Sequence, residues 1–220
     1  MPLGKPQREE SNAMLILISD AFDASLPQKL KPFGEVTTDK NRLGEAHVVL
    51  VRSKTKCTKE YIDQAPNLKL IIRGGVGIDN IDKAYAESKG IIVRNTPKSS
   101  AIAVAELAFA LMLSTPNNLV AYHNGMKSGQ WLKDLKRTEL YGKTLCLFGI
   151  GNIASKVAER AKAFGMTVVA YDKYVSSSPL ARMVPTAEEA VADADYISLH
   201  LPLTDETRGM VNEKLISHCK

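Results

Sequence analysis

The stretch that decides the fold is Cys146-Leu147-Phe148-Gly149-Ile150-Gly151-Asn152-Ile153-Ala154, with Asp172 at the end of the next apolar run. Leu145 to Ile150 is apolar enough for a strand that is buried on both faces of a parallel sheet. The spacing then predicts a helix from about Asn152 to Phe164 and a second strand from Met166 to Tyr171. The order of strand, glycine turn, helix and strand predicts one α/β unit.

The glycine turn has the G-x-G-x-x-A spacing of a dinucleotide-binding fingerprint. Gly149 allows a sharp turn, Gly151 lacks the side chain that would hold a pyrophosphate away, and Ala154 is small enough for close helix–strand packing. The start of the helix is expected to bind the pyrophosphate. Asp172, 23 residues after Gly149, is expected to accept hydrogen bonds from the adenosine ribose and to repel a 2′-phosphate. The predicted cofactor is therefore NAD, although the adjacent Lys173 weakens the preference over NADP.

Composition and charge exclude several classes of protein. The chain has 220 residues, 45% of them hydrophobic and 24% charged, which is typical of one large or two small globular domains. The net charge of +5 indicates either a solvated basic surface or attraction for an anionic substrate and cofactor. Nucleic-acid binding is disfavoured because no basic stripe alternates with aromatic residues.

The sequence also predicts the cellular location and the redox state. No apolar run reaches membrane-spanning length and no signal-peptide pattern occurs, so we expect a cytoplasmic protein without a membrane partner. Cys57, Cys146 and Cys219 are scattered and odd in number, which favours reduced thiols over a disulfide framework or a metal site.

The domain organisation follows from alternating apolar runs and helical patterns. Residues 1–13 are predicted to be a disordered or tag-like extension, residues 14–96 a flavodoxin-like substrate-binding domain, and residues 97–220 a Rossmann NAD-binding domain with a crossing helix. The fold class is α/β, with two Rossmann/flavodoxin-like parallel-sheet domains, the second of them incomplete. In the first domain we predict strands at 15–18, 48–51, 70–72 and 91–93, and helices at 59–64 and 82–89 with Thr58 and Asp79 as caps.

Two further expectations concern the second domain. The helix predicted over 99–114 has Ala103, Leu107, Ala110 and Leu111 on one side. The three strands predicted in this domain, the last at 196–200, would form only the 3-2-1 half of a 3-2-1-4-5-6 sheet. The strand around Leu147 would then lack a partner on one side, which is an aggregation liability. We therefore expect a chain that is truncated after Lys220.

Several motifs in one order resemble the D-isomer-specific 2-hydroxyacid dehydrogenases. The resemblance runs from about Val48 to Lys220 and rests on the residues RGGVGIDNID at 73–82, NTP at 95–97, VAE at 104–106, ELYGKT at 139–144 and HLPLT at 200–204 with Thr207. It implies NAD-dependent hydride transfer from C2 of a D-2-hydroxy acid, a small anionic 2-hydroxy or 2-oxo acid as substrate, and a homodimer at full length.

Residues 51–55 are most similar to the branch of this family that oxidises D-3-phosphoglycerate to 3-phosphohydroxypyruvate in serine biosynthesis. A glyoxylate or hydroxypyruvate reductase is an alternative specificity. A second alternative, from another class, is a non-catalytic NAD-binding interaction protein of the corepressor type.

The resemblance also implies site residues. Val76 and Gly77 would present backbone N–H groups to the substrate carboxylate, with Val76 also contacting the cofactor, and Arg52 and Ser53 would bind the same substrate.

On the cofactor side, the N–H groups of Asn152 and Ile153 would meet the pyrophosphate, and His200, Leu201, Pro202 and Thr207 would line the riboses. His200 is interpreted as part of the cofactor wall and not as a catalytic base. In the family the catalytic arginine, glutamate and histidine follow the position of Lys220, so the 220-residue chain is expected to be inactive alone.

Overall fold

A computed structural model describes residues 14–220, so the extension predicted over 1–13 lies outside the described residues. The described chain divides into two compact units, the first ending at Pro97 and the second running from Lys98 to Lys220. Each contains one parallel sheet with helices.

The first unit is a parallel sheet with the strand order β2-β1-β3-β4-β5. Its strands are β1 (Leu15–Ile18), β2 (Glu35–Thr37), β3 (Val48–Val51), β4 (Leu70–Arg73) and β5 (Ile92–Asn95), and its helices are α1 (Leu26–Leu30), α2 (Lys59–Asp63) and α3 (Lys83–Ser88). Short 3₁₀ segments cover Lys31–Phe33 and Lys40–Glu45. Every residue of β1 and β3 is buried, which is the environment that an unbroken apolar run predicts for a central parallel strand.

The sequence missed β2, because this three-residue edge strand carries one apolar residue between two polar ones. One of the two predicted helix caps is also wrong. Thr58 does accept the N–H of Tyr61 at the start of α2. Asp79 does not cap α3; Asp82 does so by accepting the N–H of Tyr85 at 3.0 Å. Asp79 precedes the helix by four residues, which is too far for a side chain to reach the first turn.

The second unit is a parallel sheet with the order β8-β7-β6-β9. Its strands are β6 (Thr144–Phe148), β7 (Thr167–Tyr171), β8 (Arg182–Met183) and β9 (Tyr196–Leu199), and its helices are α4 (Ala101–Ser114), α5 (Leu119–Lys127), α6 (Asn152–Ala163), α7 (Ala187–Val191) and α8 (Glu213–Ile216). Thr186 starts α7 by accepting the N–H of Glu189 at 3.2 Å, which is the backbone contact of a capping box.

The prediction that the central strand β6 lacks a partner on one side is wrong. Leu147 of β6 is paired with Ala170 of β7 on one side and with Ser198 of β9 on the other. The outer position beyond β7 is taken by the two-residue strand β8, which the sequence did not predict. Because β9 crosses to the other side of β6, the strands take the 3-2-1-4 positions of a doubly wound sheet, and Leu147 is fully buried.

The apolar stripe predicted for α4 is not the face that packs. The buried residues of the helix are Ala101, Ala105 and Phe109. The ring centroids of Phe109 and of Phe164, at the end of α6, lie 5.3 Å apart. Leu107 and Leu111, on the predicted stripe, are 60% and 61% exposed. A helix that is apolar on every side carries no periodicity that identifies its packed face.

Among residues 14–220, no single helix is both long and apolar enough to cross a membrane. Helices α4 and α5 pass the test of length and composition only when they are joined across a bend of 67°.

Candidate functional site

The turn after β6 requires glycine at position 149. Gly149 has a φ of 86°, and a Cβ at this position would lie 2.9 Å from the carbonyl oxygen of His200. Its N–H donates to the carbonyl of Tyr171 at 2.8 Å, which ties the turn to the end of β7. The chain therefore turns sharply at the carboxyl edge of three adjacent strands, the position where doubly wound sheets bind ligands.

The space in front of α6 is open. Gly151 precedes the helix, no side chain caps the helix start, and a Cβ on Gly151 would meet no atom within 4 Å. Asn152 is exposed, Ile153 is half-buried and Ala154 is fully buried against the sheet. Backbone N–H groups at a helix start without a side-chain cap form a site for a pyrophosphate, and the helix dipole favours its charge.

Asp172 is fixed by the backbone around it. One carboxylate oxygen accepts the N–H of Ile150 at 3.0 Å, and the other accepts the N–H groups of Tyr174 at 2.8 Å and Val175 at 3.1 Å. The first contact links the end of β7 to the glycine turn itself. Each carboxylate oxygen has two lone pairs and three of the four are used here, so a half-buried Asp172 can still accept one hydrogen bond from a ribose hydroxyl, through the oxygen that accepts from Ile150.

These residues line one cleft of about 580 Å³. Of the predicted cofactor residues of this unit, the cleft wall includes Gly149, Gly151, Asp172, His200, Leu201, Pro202 and Thr207, whereas Asn152 and Ile153 begin the adjacent helix. The wall also contains residues that the sequence did not predict: Tyr171, Lys173, Tyr174, Thr204, Glu206 and Met210. In this wall the ammonium of Lys173 forms an ion pair with a carboxylate oxygen of Glu206 at 2.7 Å.

His200 and Thr207 support the loop after β9. The Nε2 of His200 lies 2.9 Å from the Oγ of Ser198, and burial lowers the pKa of the imidazole, so the ring is neutral at pH 7. Thr207 donates its hydroxyl to the carbonyl of Pro202 at 2.7 Å and accepts the N–H of Thr204 at 2.8 Å. Both side chains shape the wall of the cleft, and the hydrogen bonds described for them go to Ser198, Pro202 and Thr204 and not to a carboxylate.

In the first unit, the loop after β3 is held on both sides. Asp20 accepts the N–H of Arg52 at 2.6 Å and the hydroxyl of Thr55 at 2.7 Å. From the opposite side, the Nδ2 of Asn80 donates to the carbonyl oxygens of Arg52 and Thr55, at 2.7 Å each. The exposed guanidinium of Arg52 contacts the carbonyl of Ala21 at 3.3 Å, so the backbone of Arg52 is fixed while its charge faces outward.

The pKa of Asp20 is lowered from its ordinary value. Burial raises the pKa, but the hydrogen bonds from Thr55 and from the backbone of Arg52 and Thr55 outweigh this effect. The carboxylate is therefore ionised at neutral pH and acts as an anchor for the loop.

Val76 and Gly77 lie in the loop after the adjacent strand β4. The side chain of Asn95 donates to the carbonyl of Val76 at 2.5 Å, and the N–H of Thr96 donates to the carbonyl of Gly75 at 3.0 Å. Val76 is 37% exposed. A separate polar cavity of about 480 Å³ includes Ser53 in its wall but not Arg52, Val76 or Gly77. The four predicted substrate residues thus lie at the carboxyl edge of neighbouring strands, and the structure does not gather them into one cavity.

The described residues contain no group of three or more side chains arranged to hold a metal ion. Cys57 and Cys146 are buried free thiols whose pKa burial raises to about 12, and Cys219 is half-buried and free.

The comparison with known proteins identifies the class. Residues 109–220 match the family model described as "D-isomer specific 2-hydroxyacid dehydrogenase, NAD binding domain". This range contains the glycine turn, Asp172 and the loop after β9. The chain therefore belongs to the D-isomer specific 2-hydroxyacid dehydrogenase family, and NAD is the cofactor of the matched domain. The predicted family, fold class and cofactor are confirmed.

Among curated relatives, D-3-phosphoglycerate dehydrogenase of Methanocaldococcus jannaschii is 40% identical over 218 residues, which is 93% of this chain and 42% of the relative. Hydroxypyruvate reductase of Thermotoga maritima is 45% identical over 177 residues, 80% of this chain and 58% of the relative. The chain thus spans about half the length of these relatives.

Two solved structures show the same fold. D-lactate dehydrogenase from Aquifex aeolicus, complexed with NAD and lactic acid, matches with a TM-score of 0.82 at 33% identity, over 94% of this chain and 66% of that one. An acyclic imino acid reductase (Bsp5), in complex with NADPH and D-Arg, matches with a TM-score of 0.85 at 30% identity, over 94% of this chain and 71% of that one.

Proposed function

We propose that this chain forms the substrate-binding unit and the NAD-binding unit of an oxidoreductase that acts on the CH–OH group of a D-2-hydroxy acid. The observation that carries the proposal is the 580 Å³ cleft, in which the turn at Gly149, the open start of α6 and the carboxylate of Asp172 meet. A dinucleotide needs this combination of a phosphate site and a ribose acceptor.

Each unit has a defined part in the proposed reaction. NAD, when bound, supplies the hydride acceptor. The helix start at Asn152 holds the pyrophosphate, and Asp172 accepts from the ribose. In the first unit, backbone N–H groups of Val76 and Gly77 hold the substrate carboxylate, and Arg52 and Ser53 bind the same anion. The catalytic arginine, glutamate and histidine of the proposed enzyme are expected after Lys220.

We propose D-3-phosphoglycerate as the substrate. The similarity of residues 51–55 to that branch supports it, as does the name of the Methanocaldococcus jannaschii relative. Lys54 and Lys56, both exposed, add positive charge beside Arg52 that favours a phosphorylated anion. The name of the Thermotoga maritima relative favours the alternative, a hydroxypyruvate reductase.

We further propose that the protein is cytoplasmic and that it forms a homodimer at full length. Exposed apolar side chains on α4 and α5 support an interface between copies: Ile102, Val104, Leu107, Leu111, Leu119, Val120 and Met126. Light scattering coupled to size exclusion should give the mass of two chains for the full-length polypeptide; a monomeric mass of that polypeptide at micromolar concentration contradicts the dimer.

The function is tested in two steps. First, calorimetric titration of the 220-residue chain with NADH should give saturable binding at one site. Second, the full-length polypeptide should reduce NAD with D-3-phosphoglycerate and should use D-glycerate poorly; preference for hydroxypyruvate and NADH supports the reductase instead. NADH binding without turnover of any D-2-hydroxy acid by the full-length polypeptide supports the non-catalytic binding protein.

A further inference from the structure

One ion pair in the cofactor cleft has no place in the function proposed above. Lys173 and Tyr174 directly follow Asp172 at the end of β7, and Glu206 lies in the turn after β9. The ammonium of Lys173 lies 2.7 Å from a carboxylate oxygen of Glu206, and the hydroxyl of Tyr174 lies 3.5 Å from the other. All three residues line the cleft together with Asp172.

The pair contributes little to folding, because both side chains are more than half exposed, at 56% and 60%. The pair matters instead for the charge at this end of the cleft. The hydrogen bond with Glu206 raises the pKa of Lys173, and the same hydrogen bond lowers the pKa of Glu206, so both groups are charged at neutral pH. Asp172, Lys173 and Glu206 together give this end of the cleft one net negative charge.

Lys173 is the cationic wall residue next to the carboxylate that is proposed to hold the adenosine ribose. A 2′-phosphate on that ribose carries between one and two negative charges at pH 7 and would pair with a free ammonium. In this structure the ammonium is already paired, and the paired group is itself a carboxylate that repels a phosphate. Arg208 and Asp205 belong to the same turn but do not line the cleft.

We propose that Glu206 is a specificity-determining residue, which excludes the 2′-phosphorylated dinucleotide by holding Lys173 and by adding a second carboxylate beside Asp172. This inference rests on the proposed dinucleotide site. The role of Glu206 resolves whether the neighbouring residues Asp172 and Lys173 favour NAD or NADP. Asp172 alone would favour NAD and Lys173 alone would favour NADP. The pairing of Lys173 with Glu206 decides in favour of NAD.

The test is the ratio of the dissociation constants for NADPH and NADH, measured by calorimetric titration of the protein at low ionic strength. Glu206→Gln should lower this ratio roughly three- to tenfold, since it removes the charge that neutralises Lys173 and repels a 2′-phosphate. The gain should decline as salt is added. Adding Lys173→Met to Glu206→Gln should abolish the gain.

Asp205→Asn is the matched control, because it removes the same charge one residue away without touching Lys173. It should leave the ratio unchanged. An equal change in Asp205→Asn and Glu206→Gln, or no change in Glu206→Gln while NADH still binds, overturns this inference alone. Failure of the parent protein to bind NADH overturns the proposed function and this inference with it.

Discussion

Asn80, in the loop after β4, holds the backbone of Arg52, in the loop after β3, through a hydrogen bond of 2.7 Å from its Nδ2 to the Arg52 carbonyl. The same nitrogen donates to Thr55, so the orientation of the amide is set by two acceptors. The residue proposed to attract the substrate is therefore positioned by the loop that follows the neighbouring strand.

Replacing Asn80 by aspartate should destabilise the protein by about 2 kcal/mol or more, because a carboxylate would face two carbonyl oxygens that lose their donor. Urea unfolding measures the change. Asn67→Asp is the control, since exposed Asn67 makes one hydrogen bond, to the carbonyl of Gly44 at 3.2 Å, and should cost less than about 1 kcal/mol. Equal losses of unfolding free energy in the two variants would contradict the role of Asn80 in holding the loop after β3.

The stability that Asp20 contributes should depend on pH. Its pKa is lowered in the folded protein, so the ionised carboxylate stabilises fully above the ordinary aspartate value of about 3.9, and this contribution is lost as the pH falls through the lower folded value. The difference in unfolding free energy between the parent and Asp20→Asn should therefore be constant from pH 7 to about 5 and shrink below about 4. Asp79→Asn, at an exposed acid that caps no helix, should show a smaller difference throughout. A difference in unfolding free energy between the parent and Asp20→Asn that grows as the pH falls would contradict the role of Asp20 as an anchor for the loop after β3.

Gly149→Ala should cost more stability than Gly142→Ala. Both glycines have positive φ, 86° and 72°, and each substitution carries about 1–2 kcal/mol of backbone strain. Only Gly149 adds a clash, since its Cβ would lie 2.9 Å from the carbonyl oxygen of His200, while nothing lies within 4 Å at Gly142. Thermal unfolding should rank the variants in this order, and an inverted order would show that the loop after β9 does not pack on the turn.

Gly151→Ser should separate the cofactor role of this glycine from its structural role. The position has a φ of −74° and open space around it, and serine is a favoured N-cap, so unfolding stability should be kept or rise by a few tenths of a kcal/mol. NADH affinity should fall about tenfold or more, because the new side chain stands where the pyrophosphate approaches. Unchanged NADH affinity in a stable variant would rule out phosphate binding at this helix start.

The sequence alone determined the unit of β6, α6 and β7 and the glycine turn between β6 and α6, because glycine spacing and strand apolarity are local signals. The all-apolar strands β1 and β3 were predictable for the same reason. Local periodicity could not predict the packed face of α4, since apolar residues lie on every side of that helix and Glu106 is its one charged residue.

Only the tertiary structure decided which elements meet. It placed β9 beside β6, where the sequence predicted an open side, and it brought Glu206 to Lys173 and Asn80 to Arg52. These contacts join residues that are tens of positions apart and chemically ordinary at their own sites. The physical reason is that side-chain partners across a parallel sheet are set by strand order, which depends on how the whole core is buried and not on any one segment.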